Sequence, residues 1–144
     1  MAIRAVLDTN VIVSGLLGKT GHPKRLFDGW LAGEFTMVTS LYLIEELRHV
    51  LAYPRLARRL NLTEAELTAV FAAIAERADI VAEVNPLPGI TRDPKDDPVV
   101  ACSVTGQADY IVSGDQDLLT LVEFEGVKIV TPQEFTSLLD ELPN

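Results

Sequence analysis

The chain has 144 residues, of which 48% are hydrophobic and 23% charged, a mixture that builds a packed core and excludes a disordered chain. Its 21 Asp and Glu against 12 Lys and Arg give a formal charge of -9, which excludes nucleic-acid retention by a broadly basic surface. The single cysteine, Cys102, excludes an internal disulfide framework and fits a reducing cytoplasm.

The length suits one domain over residues 1–144. An acid at position 8 cuts the first apolar run short, so no signal peptide is expected. Nor does any stretch approach the ~18 apolar residues of a membrane helix.

Ile3 to Leu7 reads as a buried strand running into a polar turn at Asp8-Thr9-Asn10. A loop with Gly18 and Gly21 follows, and Pro23 opens a helix carrying Leu26, Phe27, Trp30 and Leu31. Phe35 to Thr39 predicts a second strand. Ser40 then caps a helix bearing Leu43, Ile44, Leu47, Val50 and Leu51, which stops near Pro54. Thr63-Glu64-Ala65-Glu66 is a capping box ahead of a helix with Leu67, Val70, Phe71, Ile74 and Ala78 on one face. Ile80 to Val84 predicts a strand, followed by turns at Pro86, Pro88 and Gly89. Pro98 to Gly106 predicts a helix, Asp109 to Ser113 a strand, and a short helix begins near Asp117. A strand at Val127 to Val130 and a helix from Pro132 close the chain. Alternating strands and helices predict an α/β domain, with a mainly parallel central sheet flanked by helices in three layers.

Ligand sites of parallel sheets lie beyond the carboxyl ends of the strands, and Asp8 and Asp115 stand there. Each can cap the next helix or serve chemistry, and taken singly the sequence leaves both roles open. In the helix after Ser40, the apolar residues centre near Leu47. At about 100° per residue, Glu45 and His49 point about 160° away, and Glu46 points about 100° away, at the edge of the buried stripe. That angle selects Glu46 over Glu45 as an acid able to reach a cleft. Asp93, Asp96 and Asp97 put three acids within five residues at a helix start, more than capping requires. The simplest assignment makes Asp97 the N-cap and Pro98 the first helical residue, which leaves Asp93 and Asp96 needing another purpose. Clustered carboxylates raise one another's pKa unless cations compensate. Oxygen donors suit Mg²⁺ or Mn²⁺, while His22, His49 and Cys102 have no zinc spacing. A hard cation held by carboxylates most often works on phosphates.

Four segments resemble, in order, the motifs of PIN-domain nucleases. They are Val6-Leu7-Asp8-Thr9-Asn10-Val11-Ile12-Val13-Ser14, Ser40 followed by Glu46-Leu47, Asp93-Pro94-Lys95-Asp96-Asp97-Pro98, and Ala108-Asp109-Tyr110-Ile111-Val112-Ser113-Gly114-Asp115. The subgroup is similar to the VapC-like toxin components of prokaryotic toxin-antitoxin pairs. The resemblance implies a PIN-like fold and an Mg²⁺- or Mn²⁺-dependent endoribonuclease leaving 5′-phosphate and 3′-hydroxyl ends. It assigns metal-binding and catalytic roles to Asp8, Glu46, Asp96 and Asp115, with Asn10, Ser113 and Asp117 in support and Asp93 behind them. Family members carry the third acid three residues before a bulky apolar residue, which selects Asp96 with Val99; a slip of one residue gives Asp97. The resemblance also implies a homodimer and an antitoxin partner.

Arg48, Arg55, Arg58 and Arg59, with Lys24 and Arg25, can flank a groove for an RNA backbone or simply form solvated helix surface. The apolar faces of the helix at 64 to 78 and of the Leu26 to Leu31 helix can supply dimer contacts or fill the core. Two other functions fit less well. An aspartyl-nucleophile phosphatase needs a second acid where Asn10 stands. A catalytically silent partner-binding domain does not need all four acids.

Overall fold

The computed structural model describes residues 2–18, 20–86, 89–91 and 93–142; Pro88, expected in a turn, lies outside them. Strand β1 (Arg4–Leu7) leads directly into helix α1 (Thr9–Leu17), and α2 (His22–Leu31), β2 (Thr36–Ser40) and α3 (Leu41–Leu51) follow. Next come α4 (Pro54–Leu60), α5 (Glu64–Arg77), β3 (Asp79–Val81), a 3₁₀ turn at Pro94–Asp96, α6 (Asp97–Thr105) and β4 (Tyr110–Val112). Helix α7 (Gln116–Leu119), β5 (Glu123–Phe124), β6 (Val127–Val130) and α8 (Pro132–Glu141) complete the described chain.

The six strands form one mixed sheet in the order β3-β2-β1-β4-β6-β5. All neighbours pair in parallel except β5 with β6. Side chains alternate across β1: Ala5 and Leu7 enter one core with Phe27, Trp30, Met37, Leu47 and Phe135, and Val6 enters the other with Val38, Val100, Cys102 and Ile111. Helices therefore cover both faces, giving the three-layer α/β arrangement. Phe135 is fully buried and meets Phe35 and Tyr110 edge-on, with ring centroids 5.1 and 5.6 Å away.

Caps behave as the sequence predicts in two helices. Ser40 Oγ accepts the Leu43 N–H at 3.2 Å, and a full capping box opens α5 at Thr63; the structure adds a second box, at Thr131, ahead of α8. Three local expectations need correction, and one open alternative is decided. The polar turn at Asp8-Thr9-Asn10 is instead the start of α1, whose Val11-Ile12-Val13 run is buried on successive positions and so lacks an amphipathic signature. The strand expected to Val84 ends at Val81, where pairing with Ser40 ends. Asp97 is the first residue of α6 rather than its N-cap, so Pro98 is the second. The Leu26 to Leu31 helix is spent on the core, since Leu26, Phe27 and Trp30 are all buried.

Candidate functional site

Parallel pairing of β1 with β4 aligns Leu7 with Val112, so the residues that follow, Asp8 and Ser113, leave the sheet side by side. The Asp8 N–H donates to the Val112 carbonyl at 3.0 Å, and the Ser113 N–H to the Val130 carbonyl at 3.0 Å. Both side chains are buried. Ser113 Oγ donates to Asp8 Oδ2 at 2.8 Å and accepts the Asp115 N–H at 2.9 Å. Asp8 occupies the N-cap position of α1 yet makes no side-chain cap bond, because its carboxylate is turned to Ser113. Asp115 does cap: its Oδ1 accepts the Asp117 N–H at 2.9 Å.

Asp96 ends the 3₁₀ turn and is buried. Its Oδ2 has no hydrogen-bond partner, the one such buried side-chain oxygen or nitrogen among the described residues. Burial, then the negative charges of Asp115, Asp8 and Asp93, push its carboxyl up to about 7. Burial also raises the Asp8 carboxyl, with Asp115 adding to the effect while Ser113 and the Thr9 backbone oppose it. Glu46 is half-buried on α3 and Glu45 exposed. Burial and the Asp8 charge raise the Glu46 carboxyl, and the Thr9 hydroxyl pulls it the other way. One carboxylate oxygen each from Asp93, Asp96 and Asp117 lie within 4.8 Å of one another. Asp96 is therefore common to this tight triplet and to the wider group of Asp8, Glu46 and Asp115.

Asp97 belongs to a different network. Its Oδ1 accepts the Thr91 N–H at 2.9 Å and the Thr91 hydroxyl at 2.7 Å, and its Oδ2 accepts the Gly89 N–H at 3.0 Å. Burial works to raise its carboxyl, but these donors and Ile90 outweigh it, and the net shift is downward. Asp93 Oδ1 accepts the Lys95 N–H at 3.0 Å, and Asn10 is exposed on α1. Thr9 and Thr91 were not singled out by sequence. A hydroxyl directly after the strand-end acid is the signal available for Thr9, and Thr91 has none beyond lying in a turn.

Among the described residues, no Lys or Arg forms an ion pair with Asp8, Glu46, Asp93, Asp96, Asp115 or Asp117. An all-oxygen donor set with an unpartnered buried oxygen and no protein cation fits a hard divalent ion and does not fit zinc. The basic residues sort differently from the sequence expectation. Lys24 pairs with Asp28 within α2, Arg25 ties α2 to Glu34 and to Asp140 of α8, and Arg48 pairs with Glu45 within α3.

Comparison with known proteins agrees with this geometry. The uncharacterized protein MJ1680 of Methanocaldococcus jannaschii is 25% identical over 141 residues, which is 92% of this chain and 89% of that relative. The crystal structure of FitAcB from Neisseria gonorrhoeae shares the fold, with a TM-score of 0.53 at 16% identity over 90% of this chain and 98% of that one. The sequence model of the PIN domain matches residues 4–117, from the first residue of β1 to the last acid of the cluster. With that match spanning every strand and helix that brings an acid to the site, the chain belongs to the PIN domain family.

Proposed function

We propose that the protein is a divalent-metal-dependent endoribonuclease, the toxin of a toxin-antitoxin pair. The observation that carries this is Asp96 Oδ2, buried without a hydrogen-bond partner among carboxylates that pair with no Lys or Arg among the described residues. Asp8, Asp96 and Asp115 would hold the ion with Glu46, and Asp93 and Asp117 would complete the shell around Asp96. Mg²⁺ or Mn²⁺ bound there supplies charge for the phosphoryl oxygens and acidifies water.

The chain's own residues do the rest. Ser113 Oγ, held by the Asp115 N–H, fixes the Asp8 carboxylate in one orientation. Glu46, half-buried and with its carboxyl raised by burial and by the Asp8 charge, would bridge the ion or bond a water held on it. Asp97 takes no part in that chemistry; through Thr91 and Gly89 it holds the loop that presents Asp93 and Asp96.

Incubation of RNA with the purified protein and Mn²⁺ is expected to give fragments with 5′-phosphate and 3′-hydroxyl ends. Asp8→Asn, Glu46→Gln and Asp96→Asn should each lower the rate by about 100-fold or more while leaving the fold intact by circular dichroism. Full metal-dependent cleavage by Asp8→Asn would sink the reading. The antitoxin partner and homodimer rest on the likeness to VapC-like proteins. For the dimer, α5 offers a half-exposed apolar face, with Leu67, Val70 and Phe71 only partly buried against the core. Light scattering after gel filtration, with Phe71→Asp as the disrupting variant, tests it.

A further inference from the structure

The short helix α4 faces solvent along most of its length, and only Leu56 and Leu60 pack inward, against the core. At about 100° per residue, Arg55, Arg58 and Arg59 fall within a ~100° sector of the remaining surface. None of the three has a carboxylate within 4.0 Å among the described residues. On a chain of formal charge -9, three adjacent guanidiniums left without acids are a local exception. The residue that caps this helix is Tyr53, 54% exposed, with its ring edge-on to His49 at a centroid distance of 5.4 Å. Tyr53, Arg55 and Arg59 line one groove of about 440 Å³.

Guanidinium groups recognise phosphates with directional hydrogen bonds, and an exposed aromatic ring offers a face on which an unpaired base stacks. Helix α4 packs against both α1, which begins at Thr9 beside the acids, and α3, which carries Glu46. A strand held at the acids and running along α1 or α3 would meet this surface. We infer that Tyr53, Arg55 and Arg59, with Arg58 beside them, form a docking platform for single-stranded RNA flanking the scissile bond. This rests on the nuclease reading for the identity of the strand, and charge complementarity selects a polyanion as occupant.

The test uses the full-length protein in EDTA and a fluorescent single-stranded RNA of mixed sequence, with anisotropy followed from 50 to 300 mM salt. Arg55→Gln/Arg59→Gln is expected to weaken binding about tenfold and to make the slope of log K against log salt shallower by about 1.4. Tyr53→Ala should weaken binding with little change in slope, and Tyr53→Phe should restore it. In Mn²⁺ the same variants should raise KM for RNA with kcat close to wild type. An unchanged affinity and slope overturn the platform. So does wild-type protein that fails to bind at 50 mM salt, or a patch whose variants lose only a co-purifying protein partner. Wild type that binds in EDTA but never cleaves in Mn²⁺ sinks the nuclease reading and leaves the platform standing.

Discussion

The Asp96 carboxyl is protonated in the folded, metal-free protein up to about pH 7, whereas an exposed aspartate ionises near pH 3.9. Its folded value is raised, so between those pH values the native state keeps a proton that the unfolded chain releases. Stability of the metal-free protein should therefore fall as pH climbs through that window. Asp96→Asn removes the cost, and in EDTA at pH 8 its melting temperature should exceed that of wild type by a few degrees, with the gap closing near pH 4. Mn²⁺ should raise the melting temperature of wild type and leave that of the variant unmoved. A lower melting temperature for the variant at pH 8, read by scanning fluorimetry, would contradict this. Ser113→Ala deletes the donor to Asp8 and strands the buried Asp115 N–H, and should lower the cleavage rate about tenfold or more. Helical angle alone separates Glu46 from Glu45, and a strand end points to Asp8. The tight approach of Asp93, Asp96 and Asp117 was not legible, because it depends on where α7 starts after β4.

Elements declare themselves in the sequence through caps and through apolar runs of ordinary strand or helix spacing. The capping box at Thr63 and the parallel strands β4 and β6 are read directly from these signals. Helix α1 is missed because its β-branched run suggests extended chain; packing of Val11, Ile12 and Val13 into the core overrides that preference, with Asn10 and Ser14 left on the exposed side. Helix α4 is missed because Pro54 reads as a stop and only Leu56 and Leu60 pack inward, too few to set a period. Close packing imposes a further demand at the end of α6. A Cβ on Gly106 would lie 2.6 Å from Val38 Cγ1, 2.8 Å from Val81 Cγ2 and 3.0 Å from the Cys102 carbonyl oxygen. Gly106→Ala should cost about 1–3 kcal/mol in urea unfolding, since two strands and a helix would have to move together. Asp97→Asn should cost about 2 kcal/mol at pH 7 by loosening the loop that Thr91 and Gly89 anchor. The Asp97 carboxyl is lowered in the fold, so its contribution is complete above pH 4 and fades as pH falls below that. The two proteins should converge in strong acid.

Over the whole molecule, an acidic chain gathers several of its negative charges at one end of the sheet, and three arginines on α4 have no ion-pair partner among the described residues. If the acidic end holds a divalent ion, EDTA should lower stability by RT ln(1 + [M]/Kd). That is about 2.7 kcal/mol for metal at a hundredfold its dissociation constant, a drop of several degrees in melting temperature. Sheet order adds something that pairwise contacts do not. Strand β1, made first, lies between β2, which follows soon after, and β4, which is made some hundred residues later. Asp8 thus waits with one side of its strand open until Ser113 arrives, and Ser113 in turn takes its place beside Val130 of β6. During synthesis at about 5–20 residues per second, the growing chain spends several seconds with β1, β2 and α3 made but no floor under the acids. The acidic arrangement is thereby postponed until β4 and β6 have been made. A product stalled after α3 would carry Asp8 and Glu46 without Asp96, Ser113 and Asp115, and so without the rest of the acidic cluster.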